Sequence, residues 1–282
     1  MISVPQLLLG VTGFGVVVGA LATYTIMSGA KKRSQSGVKV KETSKGSKIY
    51  APVASPKMLK AAKSIRWYSP PFSPKNVPRF YDVASFTEDP ELFQFMIDVF
   101  VDNYNSFPAH KKPTAIVGCD ARGFVLGPPI AMALKIKFVL LRKDQKSPGV
   151  LVEGTGYTKE YAEAHDDKMC LRLGSLTPND RVVIIDDLLA TGGTAIAGMQ
   201  LVKALGATIS EFAAIIALEG LDGIGKIRQA DGGKYKDVPI FTVFTDAMVG
   251  NGTPGDPPIW NLKGRMVPLA DAAKVQAEHK LI

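Results

Sequence analysis

Two adjacent carboxylates, Asp186 and Asp187, stand just before a turn of small and hydroxylated residues, Ala190, Thr191, Gly192, Gly193 and Thr194. Small residues let backbone N–H groups converge on an anion, threonine hydroxyls add donors, and a helix starting there presents the positive end of its dipole. The lysine that closes a nucleoside triphosphate P-loop is missing from this turn. Carboxylates beside such a cradle repel a bare polyphosphate. They suit a ligand with sugar hydroxyls next to its phosphate, or one accompanied by Mg²⁺. These residue types in this order describe a site for a sugar phosphate. Two more polar clusters, Asp120-Ala121-Arg122-Gly123 and Arg142-Lys143-Asp144-Gln145-Lys146, follow apolar runs. Arg122, Arg142, Lys143 and Lys146 have the charge to hold a pyrophosphate, arginine through forked contacts and lysine as a point charge.

The elements that must carry these groups are legible in the surrounding pattern. Val182, Val183, Ile184 and Ile185 form a run with no polar alternation, as in a strand buried on both faces of a parallel sheet. After the turn, Ile196, Met199, Val202 and Leu205 recur at three-residue spacing, predicting a helix that ends at Gly206. TAIVGCD, residues 114–120, reads as a second buried strand that leads into a helix starting near Pro128. Asp89, Pro90 and Glu91 signal a helix start, followed by Leu92, Phe93, Met96, Val99 and Phe100 on one side. FVLL before Arg142, EFAAIIAL from Glu211 and IFTVFT from Ile240 complete a βα alternation. The expected architecture is α/β, a doubly wound and mostly parallel sheet with ligands at the carboxyl ends of its strands.

The stretch VVIIDDLLATGGT, residues 182–194, resembles the signature of the type I phosphoribosyltransferases, which bind 5-phosphoribosyl-1-pyrophosphate. Residues 65–247, with the phrases RWYSPPFSP and VPRFYDV, resemble the adenine phosphoribosyltransferase family in its kinetoplastid form. The resemblance implies the type I fold with an N-terminal hood over the base, here residues 57–88, whose aromatics include Trp67, Tyr68, Phe72, Phe80 and Tyr81. It implies transfer of a phosphoribosyl group to adenine through an oxocarbenium-like transition state, giving AMP and pyrophosphate, with Mg²⁺ held mainly through the substrate and no protein metal ligand. By the same match Asp186 and Asp187 hold the ribose hydroxyls, and Arg122 grips pyrophosphate beside a cis peptide between Asp120 and Ala121. Arg142, Lys143 and Lys146 form the second pyrophosphate loop. Arg79 and Phe80 fall at the base pocket, and Glu160 shuttles the purine N7 proton with Tyr161 beside it, in a lid over residues 146–165. Glu153 is the fallback for Glu160. The alternatives are another purine base, xanthine or a further 6-oxopurine, or a regulator that binds phosphoribosyl pyrophosphate without turnover. The resemblance also implies a homodimer.

The chain has 282 residues, 46% apolar and 21% charged, the composition of a globular protein. Its net charge of +8 is unevenly placed. Residues 1–30 carry no charge, and residues 31–79 hold thirteen Lys or Arg against the single acid Glu42, which leaves residues 80–282 at about −4. Residues 7–27 are uncharged and span about 31 Å as a helix, enough for a bilayer core. Lys31, Lys32 and Arg33 follow, which predicts an uncleaved anchor over residues 1–30 with the catalytic body facing the cytosol; the alternative is a cytoplasmic chain. Residues 31–56 read as a basic, solvated linker and residues 57–282 as the catalytic domain. The basic leader next to an apolar span fits anionic lipid, and no nucleic-acid partner is expected. Cys119 and Cys170 read as buried small hydrophobes, and the tail after Ala247 exceeds the family core.

Overall fold

The computed structural model describes residues 36–70, 72–74, 77–143, 147–154, 168–250, 253–256 and 266–279. In chain order the strands and helices are β1 (Val40–Glu42), β2 (Ile49–Pro52), α1 (Pro56–Ser64), β3 (Arg66–Tyr68), β4 (Phe80–Asp82), α2 (Pro90–Asn105) and β5 (Ala115–Cys119). There follow α3 (Gly123–Leu134), β6 (Lys137–Lys143), β7 (Leu151–Glu153), β8 (Met169–Arg172), β9 (Arg181–Leu189) and α4 (Gly193–Ala204). The last are β10 (Thr208–Ala217), α5 (Gly223–Gly233), β11 (Ile240–Phe244), α6 (Asp246–Val249), β12 (Thr253–Pro254) and α7 (Ala272–His279).

Among the described residues nine strands form the main sheet in the order β1-β2-β11-β10-β9-β5-β6-β8-β7. From β2 to β6 the neighbours run parallel, while β1, β8 and β7 add antiparallel edges. This is the mostly parallel sheet expected from the sequence. It works because the central strands are apolar on both faces: Val183 and Ile185 point into one core with α1, α2 and α3, and Val182 and Ile184 into the other with α4. All four are fully buried, each stabilising the fold by about 1.5–3 kcal/mol. From β5 the chain crosses through α3 to β6 on one side, and from β9 through α4 and α5 to β10 and β11 on the other. The direction of winding reverses between β5 and β9. At such a switch point the loops leaving two adjacent strands diverge and leave a crevice at their carboxyl ends.

Several elements differ from the sequence expectation. The turn and caps of α2 are as read, with Asp89 Oδ1 accepting from the N–H groups of Glu91 and Leu92 at 3.0 Å each. Helix α3 begins at Gly123 and contains Pro128 and Pro129 within it, whereas a start near Pro128 was expected. Buried Leu126, Ile130 and Ala131 hold it against the sheet, and tertiary packing overrides the proline penalty. Helix α4 buries Ala195, Gly198, Met199 and Val202, so the small residues face the sheet and Ile196 and Leu205 lie at its margin. A Cβ on Gly198 would lie 3.0 Å from the Leu141 side chain, which shows how closely this helix sits.

The largest difference concerns residues 31–56. The hairpin β1–β2 extends the sheet, with β2 parallel to β11, so residues 40–52 are not a solvated linker. Ser36 is already tied down, donating to Asp102 Oδ2 through its N–H at 2.5 Å and its hydroxyl at 2.7 Å. The compact unit is Gln35–Ile282, so the boundary expected at residue 57 falls inside it. Strands of three and four residues, VKE and IYAP, set in a segment rich in Lys, Ser and Gly, carry too little apolar signal to be recognised without their partner. The apolar segment expected at 1–30 lies outside the described residues. Among the described residues no helix is long and apolar enough to cross a membrane.

Candidate active site

The acidic pair lies within β9, not beyond it, because the strand continues to Leu189. Successive residues of a strand point to opposite faces. Asp187 is buried, and its N–H donates to Asp186 Oδ1 at 2.9 Å. Burial, followed by the adjacent Asp187 charge, pushes the Asp186 carboxyl well above the usual carboxylate range. A pair in this state is poised to accept sugar hydroxyls or to sit beside a cation, either of which relieves the repulsion. Cys119, at the end of β5, lies near the same acids. Burial, then Asp186, Asp187 and Asp120, raise its thiol well above its ordinary value, so it is a neutral, unreactive wall.

Beyond Leu189 the chain turns into α4 through Gly192, whose φ of 85° is the left-handed conformation glycine tolerates. Gly192 is the N-cap and no side chain caps the helix, so the first turn presents its amide groups to an incoming anion. The turn is wedged from behind by the start of α5. A Cβ on Gly223 would lie 2.2 Å from the Ala190 carbonyl oxygen, and one on Gly192 would lie 2.8 Å from the Gly223 oxygen. Gly223 was not singled out from the sequence. The glycine-rich run GLDGIG, residues 220–225, is the signal that marks it.

On the other side of the switch point, the Asp120–Ala121 peptide is cis, as the family resemblance implies. The next residues start α3 against β9, and this approach needs glycine at 123, where a Cβ would meet the Ile185 oxygen at 2.5 Å. Arg122 is thereby carried onto the acidic pair, its Nε donating to Asp187 Oδ2. The Asp120 carboxylate bridges to β6, accepting from the Lys143 N–H at 3.4 Å, with Arg142 Nε at 3.8 Å from the same oxygen. The structure thus brings together Asp120, Ala121, Arg122, Arg142, Lys143, Asp186 and Asp187, with the turn 190–194 continuing from the same strand. Lys146, Glu160 and Tyr161 lie outside the described residues. Glu153, the fallback acid, sits at the exposed end of β7 with Lys168 Nζ 3.0 Å away.

The hood contains a small separate sheet, β12-β3-β4. Tyr68 pairs with Phe80 and Trp67 with Tyr81, which sets the aromatics side by side. Arg79 stacks over Trp67 at 4.5 Å and Tyr81 at 5.2 Å and donates to the Gly250 carbonyl at 2.8 Å. Asp82 links this sheet to the crevice. Burial and then Glu88 raise its carboxyl, while Arg66 and Arg122 are among the groups that lower it. The third strand, β12, comes from the tail after Ala247, for which the sequence offered no role. Its neighbour Asp256 accepts from the Ser69 N–H at 2.8 Å and hydroxyl at 2.5 Å, clasping the hood from the far end of the chain. Asp256→Ala leaves both donors without this acceptor. It is expected to loosen the hood by about 1–2 kcal/mol and raise KM for the base several-fold with kcat little changed, as read by steady-state kinetics; an unaltered KM refutes the clasp.

A profile of the Phosphoribosyl transferase domain matches residues 82–245. Adenine phosphoribosyltransferase 1 of Triticum aestivum is 39% identical over 182 residues, which cover 64% of this chain and 91% of that protein. The crystal structure of adenine phosphoribosyltransferase from Trypanosoma brucei, in complex with AMP, pyrophosphate and ribose-5-phosphate, superposes with a TM-score of 0.75 at 40% identity, covering 84% of this chain and 99% of that one. The enzyme of Leishmania donovani gives a TM-score of 0.73 at 40% identity over 86% of this chain and 99% of that chain.

Proposed function

This chain belongs to the adenine phosphoribosyltransferase family, and from that premise we infer that it joins adenine to 5-phosphoribosyl-1-pyrophosphate, releasing AMP and pyrophosphate. The observation that carries the reading is the meeting, at one switch point, of an acid pair, an uncapped helix start and an arginine seated on the acids. These are receptors for a ribose, a 5-phosphate and a pyrophosphate in a row.

The chemistry follows from where charge develops. As the bond from C1 to pyrophosphate breaks, its electron pair leaves with the pyrophosphate and positive charge builds on the ribose ring. Arg122, Arg142, Lys143 and Lys146 stabilise the departing anion, while Asp186 and Asp187 accept the 2- and 3-hydroxyls and lie near the positive sugar. Adenine N9 supplies the electron pair for the new bond to C1, Glu160 with Tyr161 beside it handles the N7 proton, and Arg79 and Phe80 belong to the base pocket. The turn from Ala190 through Thr191, Gly192 and Gly193 to Thr194 holds the 5-phosphate. The lid 146–165 keeps water from trapping the sugar cation.

Mg²⁺ fits this donor set. The oxygen-rich substrate would supply its hard ligands, and a cation beside Asp186, whose carboxyl is raised by burial and then by the adjacent Asp187, would offset the repulsion of the pair. When bound, it adds positive charge to the leaving pyrophosphate. Asp186→Asn removes an acceptor for a ribose hydroxyl and is expected to raise KM for phosphoribosyl pyrophosphate by about tenfold. An unchanged KM at saturating adenine would place the ribose elsewhere.

The reaction itself is tested by giving the full chain Mg²⁺, phosphoribosyl pyrophosphate and each of adenine, hypoxanthine, guanine and xanthine. AMP from adenine alone is the expected result. A nucleotide from a 6-oxopurine overturns the base assignment, and none from any base overturns turnover. Residues 7–27, uncharged and followed by Lys31, Lys32 and Arg33, support a membrane anchor with the body on the cytosolic side; release of the full chain by alkaline carbonate contradicts it. A homodimer belongs to the same reading. The exposed Val125 and Met132, seven residues apart on α3, offer it an apolar face, and light scattering at the monomer mass rejects it.

A further inference from the structure

A cavity of about 510 Å³ lies at the end of the sheet away from the crevice. Its lining includes Arg181 and Thr208, the first residues of β9 and β10, and Pro239, just before β11. Arg181 is six residues before Asp187, about 20 Å along the strand at ~3.3 Å per residue, so the cavity is separate from the site already described. Its volume is that of an ordinary small-molecule pocket.

The lining has three chemically distinct parts. Tyr50 and Phe107 supply aromatic surface, and exposed Lys111 and half-buried Arg181 supply positive charge, Arg181 being oriented by donation from its Nε to the Lys112 carbonyl at 2.7 Å. Glu211 is the third part, and it is unusual: a carboxyl only 1% exposed, with Asn103 Nδ2 at 3.3 Å and the Tyr104 hydroxyl beside it. No step of the transfer uses it. Burial pushes this carboxyl up to about 8, against the pull of Tyr104 and Asn103, so near neutral pH it carries its proton. A protonated carboxyl offers one donor and one acceptor side by side. The edge of an aminopurine, a ring nitrogen next to an exocyclic amine, is the complementary pattern.

We propose that this cavity is a second ligand site for a purine nucleotide, with an aminopurine ring against Tyr50 and Phe107, its amino edge on Glu211, and its phosphate at Lys111 and Arg181. The choice of AMP as the occupant rests on the reaction inferred above; the chemistry of the lining does not. A site of this kind lets the nucleotide formed at one end of the sheet be sensed at the other.

The test is equilibrium dialysis of labelled AMP against the full chain at saturating phosphoribosyl pyrophosphate and Mg²⁺, with no adenine or pyrophosphate present, so that the crevice is filled and no turnover occurs. About one equivalent of AMP per chain should remain bound. Lys111→Glu, at an exposed position, should weaken that binding at least tenfold while leaving kcat at low AMP unchanged, and adenosine should bind at least tenfold more weakly than AMP. The proposal is overturned if AMP is lost once the crevice is filled, if Lys111→Glu binds it as well as the native chain, or if adenosine binds equally. Any of these with normal turnover removes the second site and leaves the transferase reading in place.

Discussion

Gly123→Ala is expected to lower kcat/KM by about a hundredfold or more and to cost about 3 kcal/mol of stability, more than an added methyl usually costs in a helix. The new Cβ would lie 2.5 Å from the Ile185 oxygen and 3.0 Å from the carbonyl carbon of Gly118. Both obstacles are backbone in central strands, β9 and β5, which are held by parallel partners on either side. They have no side-chain rotamer to change, so the start of α3 must lift. Arg122 is the residue immediately before, and its guanidinium leaves Asp187 when the helix moves. One substitution then disturbs the acid pair and the pyrophosphate grip together. Kinetics and thermal melting check this, with Gly220→Ala as control, since a Cβ there meets nothing within 4 Å. Near-native kcat/KM for Gly123→Ala would mean that the approach of α3 to β9 does not position Arg122.

Glu160→Gln is the second large effect, expected to reduce kcat by about 10²–10⁴-fold, the range for losing a positioned proton-transfer group. Glutamine keeps the size and the hydrogen-bonding oxygen but cannot take or return the N7 proton. The phosphoribosyl donor is held by other groups, so its affinity should be nearly intact. A matching fall in donor affinity would make Glu160 a lid contact, and near-normal turnover would remove it from the proton path altogether. Glu153 does not compete well for this task, because it faces solvent beside Lys168.

The two residues show how differently parts of the site can be read. Arg122 is marked by its charge after an apolar run as well as by resemblance, and it sits on Asp187, whereas Glu160 is placed by resemblance alone and lies outside the described residues. Gly123 could be read as part of a motif, yet its reason, a backbone oxygen from β9 at the place of its missing side chain, appears only in three dimensions. Gly223 behind Ala190 is the same case without even a motif. The hairpin over residues 40–52 reads as linker because its strands are short and the segment around them is rich in Lys, Ser and Gly; pairing of β2 with β11, nearly two hundred residues later, makes it part of the sheet.

By itself the sequence determined the buried strand 182–185, the helix start at Asp89, the acid pair before a small-residue turn, and hence a parallel α/β fold with a sugar-phosphate site at its strand ends. Those signals are local. Strand runs, caps and turn residues act over a few positions, and their physics is complete within a short window. Tertiary structure alone decided that Arg122 rests on Asp187, 65 residues away, and that Asp256 clasps Ser69 across 187. It also decided that the tail completes the hood, and that buried Glu211 is among the residues lining a second cavity. Such pairings leave no periodic trace, because which distant groups meet depends on how whole strands and helices stack once their apolar faces are buried.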